Sequence, residues 1–332
     1  MRSVFKRLAF ALLGSPSVLK RRLDAIKGCD GAITILNLHR VAPNDGSGFR
    51  PLDPRIFDDL LSFVNERFSL LTFAALDGPS SKPKMVLSFD DGYKDFIEVA
   101  VPIMAKHSVR SNQNVIPGCI ETGLPPLNVM AEDFVGKAPK ELVRKLVVPG
   151  YRIQDDGKGA VSVKLSAFIK NRSIAEQRSL AEVLVPQFRG WHGFRSTPMM
   201  TLDEVRQVAS FHEIGAHSFD HASMAFETME YLADDLLACR EYLFAKLHQS
   251  MDVYALPNGS FANDAQLNMI KDSGVRNTLI VGQNFSAGGY CHNRFNFDAS
   301  SNNEARFKAL GGVTRVPNSK LNRPFLNNRP AL

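Results

Sequence analysis

Two short clusters in this chain hold the residue types that hydrolytic chemistry needs. Ser88-Phe89-Asp90-Asp91-Gly92 sets two carboxylates side by side, and His217-Ser218-Phe219-Asp220-His221 sets two imidazoles four residues apart. Each follows a short apolar run of strand character, Met85-Val86-Leu87 in the first case and Glu213-Ile214-Gly215-Ala216 in the second. One carboxylate and two neutral imidazoles make a facial site for a divalent metal with positions left open. The other carboxylate then remains free to act as a base, which completes the parts for metal-assisted hydrolysis. Taken singly, each cluster reads otherwise. Asp-Asp-Gly suits an ordinary turn, and the His pair lacks the Glu of the helical zinc-protease motif. Their order along the chain and their place after strands join them.

The elements that must position these groups alternate. Ala32–Leu38, Met85–Phe89, Asn114–Ile116, Ile214–Ala216, Val253–Leu256, Thr278–Val281 and Val313–Val316 read as strands. Ile56–Glu66, Phe96–His107, Ile174–Phe188, Leu202–Ser210, Met229–Leu247 and Ala265–Asp272 read as helices. Thr201-Leu202-Asp203-Glu204 has capping-box spacing, which gives the helix before His217 a defined start. Strand–helix alternation predicts an α/β fold with a parallel sheet. A β/α barrel gathers active groups at the C-terminal ends of its strands; a doubly wound open sheet is the alternative. Residues 124–200 break the rhythm with Pro125-Pro126, Pro149-Gly150 and Asp155-Asp156-Gly157-Lys158-Gly159. An excursion of that length acts as a lid, a substrate-binding cap or a partner surface. Its Trp191 either offers a face for a sugar or, the reading we favour, anchors the excursion.

The paired motifs resemble those of the metal-dependent polysaccharide deacetylases, carbohydrate esterase family 4. The resemblance runs from about Ile33 to Val316 and includes an altered third motif, Ala255-Leu256-Pro257-Asn258-Gly259. It implies a distorted or incomplete (β/α) barrel with residues 124–200 as a helical insertion. It also implies that Asp90 is the base and that Asp91, His217 and His221 are the metal ligands. Zinc is the metal favoured by two His and one Asp, with cobalt or nickel as alternatives. A main-chain N–H at Asn258, beside Pro257, is the implied oxyanion donor. Ser218 is expected to hold the loop that carries the two ligands.

Two departures from the family pattern bear on mechanism. No Leu-x-His motif appears near the C-terminus to supply the general acid. Asn37-Leu38-His39-Arg40-Val41 instead resembles the Tyr-His-x-Val of the exopolysaccharide poly-N-acetylglucosamine deacetylase branch, which implies His39 for that role. The third-motif arginine that orients the base is replaced by Ala255, and Arg40, Arg294 and Arg315 are the candidates to substitute. The implied activity is removal of N-acetyl groups from a sugar during synthesis of a bacterial surface polysaccharide. The substrate would be an N-acetylated glycan or a lipid-linked or nucleotide-sugar precursor. An O-acetyl esterase and a weakly catalytic glycan-binding protein on the same scaffold are the rival readings.

Charge is uneven. The chain has 332 residues and a formal net charge of +6. Residues 1–27 carry Arg2, Lys6, Arg7, Lys20, Arg21, Arg22 and Lys27 against Asp24 alone, so the whole excess lies there. A balanced body argues against nucleic acid as a partner. Phe5, Leu8, Leu12 and Leu13 fall at helical spacing. A basic arm, residues 1–30, therefore either contacts an anionic membrane peripherally or packs on a catalytic domain of residues 31–332. The expected location is cytoplasmic, at the inner membrane surface, or periplasmic if the arm is a signal peptide. Cys29, Cys119, Cys239 and Cys291 are too scattered to form a disulfide framework.

Overall fold

The computed structural model describes residues 2–29 and 31–316. Its strands are β1 (Ile33–Leu38), β2 (Ser69–Leu71), β3 (Lys84–Phe89), β4 (Asn112–Val115), β5 (Glu213–Ala216), β6 (Val253–Ala255), β7 (Asn277–Val281) and β8 (Cys291–Asn296). All pair in parallel, and β1 closes the ring by pairing with both β8 and β3. The barrel therefore has seven strands. The eighth, β2, lies along Lys84–Val86 of β3, whereas β4 takes Ser88 and Phe89 farther up. Because β1 occupies one edge of β3 throughout, β2 and β4 share the other, and the barrel is distorted there.

Strand alternation sorts the side chains. Ile33, Ile35, Val86, Val253, Ala255 and Leu279 form an apolar layer inside the barrel, and the larger cluster around Phe57, Phe89, Leu236 and Phe295 packs helices on its outside. Two residues further along several strands the interior turns polar, with Asn37, Ser88, Asn114 and Arg294 all buried. That layer leads directly to the site.

Helix signals translate into caps. Thr201 Oγ1 accepts from the Glu204 N–H while the Glu204 carboxylate accepts from the Thr201 N–H, and Ser173 with Glu176 repeats the arrangement. Each such cap is worth about 1 kcal/mol. Met229–Leu247 forms a helix with the expected bounds. Phe96–His107 winds its first five residues as a π turn before the α-helix Val101–Lys106.

Three strands differ from expectation, the first being β2 (Ser69–Leu71), a three-residue strand where the sequence pattern predicts none. Val313–Val316 is not a strand: the helix Asn302–Ala309 runs into Gly311 and Gly312, both at positive φ, and Val313 is exposed. The closing strand is Cys291–Asn296, whose inward residues are His292 and Arg294 instead of β-branched ones.

The excursion after Gly123 consists of helices Leu127–Lys137, Lys140–Lys145, Lys158–Lys170 and Ile174–Arg189 around an apolar core of their own. Trp191 packs edge-on to Phe134 within that core, 6.0 Å between ring centres, so it anchors the excursion. The chain returns beside the first motif. Met200 N–H donates to the Gly92 carbonyl, and Lys94 N–H donates to the Pro198 carbonyl.

The basic arm forms two helices, Arg2–Leu13 and Pro16–Lys27, and packs on the barrel. Leu19 and Ile26 are buried, and the Arg22 guanidinium donates to the Leu310 and Thr314 carbonyls. Lys6 pairs with Glu304 at 3.0 Å. Of the expected apolar face, Leu13 is half-buried while Leu8 and Leu12 face solvent; the Phe5 side chain lies outside the described residues. No helix among the described residues is long and apolar enough to cross a membrane.

Candidate metal centre and active site

Strand register brings the two motifs together. Leu38 of β1 pairs with Phe89 of β3, and Asp90 N–H donates to the Leu38 carbonyl, which sets His39 beside Asp90. Across the barrel Val115 pairs with Ala216, and His217 N–H donates to the Val115 carbonyl. Asp91, Ser218, His221 and Asn258 all hold positive φ, four of the six non-glycine residues that do so among the described residues. Such backbone costs about 1–3 kcal/mol per residue and clusters where function requires it.

Asp91 Oδ1 lies 3.3 Å from His217 Nε2 and 3.5 Å from His221 Nε2, and all three residues are buried. The His217 Nδ1 donates to the Ala255 carbonyl at 2.8 Å. A carbonyl only accepts, so the proton sits on Nδ1 and Nε2 presents a lone pair. Burial pushes His217 down to about 4, against the pull of Asp90 and Asp91, and pushes His221 down to about 3. Near neutral pH both rings are therefore uncharged. The His217 lone pair then faces the Asp91 carboxylate, and the buried Asp91 Oδ1 has no hydrogen-bond donor. A divalent cation satisfies that arrangement, and the three ligating atoms lie within 4.8 Å of one another.

Asp90 is held apart from this set. Its Oδ1 accepts from Arg294 Nη1 at 2.7 Å and from Asn114 Nδ2 at 2.8 Å, while Oδ2 faces His217 Nε2 at 3.8 Å. Burial alone would raise its pKa. The Arg294 guanidinium and then the His217 ring outweigh that and hold the carboxyl well below the usual range. Asp90 is thus an oriented, ionised carboxylate beside the cation position.

The other expected residues divide. Arg40 does not reach Asp90: it pairs with Asp95 at 2.8 Å and Asp45 at 3.0 Å and lies over the Tyr93 ring, bracing the loop after β1. Its position two residues past Leu38 sends the side chain outward from the barrel axis. Arg315 is exposed. Ser218 Oγ donates to Asp235 and accepts from the Ala222 N–H, which ties the loop between the two His ligands. Pro257 is buried, and the Asn258 side chain donates to Ser223 Oγ at 2.8 Å. His39 is half-buried, edge-on to Phe49 with 5.6 Å between ring centres. It is close enough to Asp90 and His221 to influence the titration of both.

Residues 162–278 match the family model described as polysaccharide deacetylase. The matched span contains His217 and His221 but ends short of Arg294 and begins after Asp90 and Asp91. No curated protein sequence matches the chain. Among solved structures, the Streptococcus pyogenes deacetylase PplD in complex with acetate is similar, with a TM-score of 0.56 at 17% identity, over 84% of this chain and 98% of that one. IcaB from Ammonifex degensii gives a TM-score of 0.54 at 14% identity, over 85% and 98%. A polysaccharide deacetylase from Bacillus cereus gives 0.53 at 11%, over 84% and 69%. At these identities the likeness is one of fold.

Three residues carry more of the site than the motifs indicated. Arg294 supplies the guanidinium that Ala255 lacks, from a strand whose sequence conceals it. Asn114 bridges Ser88, the Phe89 carbonyl and Asp90; its signal was the polar run Asn112-Gln113-Asn114 inside a strand. Asp235, from the helix Met229–Leu247, accepts from Ser218 Oγ, Phe219 N–H and Tyr254 Oη at 2.6–2.8 Å. No local pattern marks it.

Proposed function

We propose that this protein is a metal-dependent N-deacetylase acting on an N-acetylated glycan in bacterial surface polysaccharide biosynthesis. The observation that carries the reading is the convergence of Asp91, His217 and His221 on one point, with Asp91 Oδ1 unpartnered, beside an Arg294-held Asp90. The first three would hold the metal, with zinc favoured by the donor set. When bound, the metal would lower the pKa of water toward neutrality and polarise the acetyl carbonyl. Asp90 would take the proton from the attacking water. Arg294 makes it a weak base, so it serves only a proton that has been made acidic. The Asn258 N–H would donate to the developing oxyanion. His39 would hand a proton to the departing amine.

The weakly catalytic alternative drew its support from the arginine missing at Ala255, and the Arg294–Asp90 pair at 2.7 Å removes that support. The O-acetyl esterase alternative shares the chemistry and differs in the leaving group. An amine must be protonated to leave, whereas an activated phenolate need not. His39→Ala is therefore expected to lower turnover of an N-acetylhexosamine oligomer by about 10²-fold and that of an activated acetate ester far less. Equal losses on both would give His39 a structural role, and turnover of O-acetyl glycans alone would favour the esterase. We place the protein in the cytoplasm against the inner membrane, with the exposed Leu8, Leu12, Lys20, Arg21 and Lys27 of the arm at an anionic surface. A mature chain beginning near residue 27 in a periplasmic fraction would reverse that placement.

A further inference from the structure

The excursion over the barrel mouth contains a buried polar seam that its apolar core does not explain. Asn128 and Glu132 stand four residues apart on the helix Leu127–Lys137, so they share a face. Ser162, Ser166 and Lys170 are spaced the same way on the helix Lys158–Lys170. Asn128 Nδ2 reaches Ser166 Oγ at 3.4 Å, so the two stripes face each other. Phe134 on the far side of the first helix, and Leu165 and Ile169 flanking the stripe on the second, lie in the apolar core. A seam of this kind inside a helical pair lowers stability unless each polar atom has a partner.

Here several have none. Glu132 Oε2, Asn128 Oδ1 and Ser162 Oγ are buried without a hydrogen bond, and Glu132 as a residue is only 9% exposed. Lys170 makes no hydrogen bond or ion pair among the described residues, although its side chain is half-buried. At one end the seam is shut by the loop after β1. Gly48 N–H donates to the Glu132 carbonyl, and a Cβ on Gly48 would collide with Ser162 Oγ at 2.0 Å. The seam also lies next to the metal centre. Lys170 acts on the His221 ring as well as on Glu132, and Asp91 acts on Glu132. Burial pushes Glu132 up to about 7, with Ser166 and Lys170 opposing the rise.

We propose that this seam is a sugar subsite, in which Glu132 and Asn128 accept hydrogen bonds from hydroxyls of a hexosamine unit whose acetamide, or whose neighbour's acetamide, lies at Asp91, His217 and His221. The proposal rests on the deacetylase reading. The unmet groups are acceptors in the main, and a glycan is rich in donors. Lys170, half-buried beside Glu132 and the His221 ring, supplies a cation suited to a ring or glycosidic oxygen. The excursion then sets which sugar enters, while the barrel supplies the chemistry.

The test uses the zinc-loaded full chain and an N-acetylglucosamine oligomer. Glu132→Gln preserves shape and is expected to raise KM about tenfold or more while kcat changes little, the scale of one hydrogen bond to a charged group. Ser166→Ala, which keeps the helix, should raise KM by a smaller factor. Zinc affinity should be the same in both variants as in the parent. An unchanged KM in both would mean that water alone fills the seam, and a loss of zinc affinity would mean that the seam supports the metal loop; either overturns the proposal. Calorimetric binding of the oligomer separates this from the parent reading. Binding weakened by Glu132→Gln in a protein that turns over nothing would sustain the subsite and remove the deacetylase. Turnover with unaffected binding would do the reverse.

Discussion

The two mouths of the barrel are made from the same strands and teach opposite lessons. At the N-terminal mouth lies a cavity of about 890 Å³ lined by the starts of β1, β3, β5, β7 and β8. Its buried polar side chains are partnered. His292 is fixed between Ser286 Oγ at 2.9 Å and Asn277 Oδ1 at 3.0 Å, and the Glu213 carboxylate accepts from the Phe73 and Ala74 N–H groups. At the C-terminal mouth the chemistry is unfinished: Asp91 Oδ1 has no donor, two imidazole rings lie beside it, and four residues hold strained backbone. Unsatisfied donors and acceptors identify the functional end better than volume does, as expected for a barrel whose base serves stability.

The largest expected effect is at the cation position. Asp91→Ala should abolish zinc binding and lower turnover by more than about 10³-fold, beyond the usual single acid–base group. Retained zinc in that variant, measured by elemental analysis, would break the contrast between the mouths. Asp90→Asn sharpens it: zinc should stay, and turnover should fall about 10²-fold or more. Loss of zinc there would mean that the two carboxylates have exchanged roles.

At the other mouth, His292→Ala should cost about 1–3 kcal/mol of stability, because it strands Ser286 and Asn277. Chemical denaturation should show the loss, while kcat of the zinc-loaded variant stays at the parent value. The smallest effect is a pH dependence of the metal-free protein. Burial pushes His217 and His292 each down to about 4 from an ordinary 6.5. The unfolded chain therefore takes up protons first. The stability that these rings hold above pH 6.5 should be lost as pH falls toward 4. Denaturation midpoints across that range, in chelator, check the sign.

Much of the site was legible because its ligands sit in contiguous motifs after apolar strands. Met229–Leu247 was legible because it is long. The strand carrying Arg294 was not, since Cys291-His292-Asn293-Arg294 puts polar side chains on its inward face and hides the strand period. The β-branched Val313–Val316 attracted the assignment instead, and only Gly311-Gly312 argued against it. Asp235 comes from a helix face, where a buried acid among exposed ones has no local signature. In each case the missing information was a partner distant in sequence.

The central claim is that the cation position at the C-terminal mouth drives deacetylation. Protein stripped of metal by a chelator, then restored with zinc, can be incubated with an N-acetylglucosamine oligomer and its products read by mass spectrometry. The account predicts loss of acetyl groups only after zinc is restored, and none with His217→Ala. Equal product from stripped and restored protein, or from His217→Ala, would contradict it.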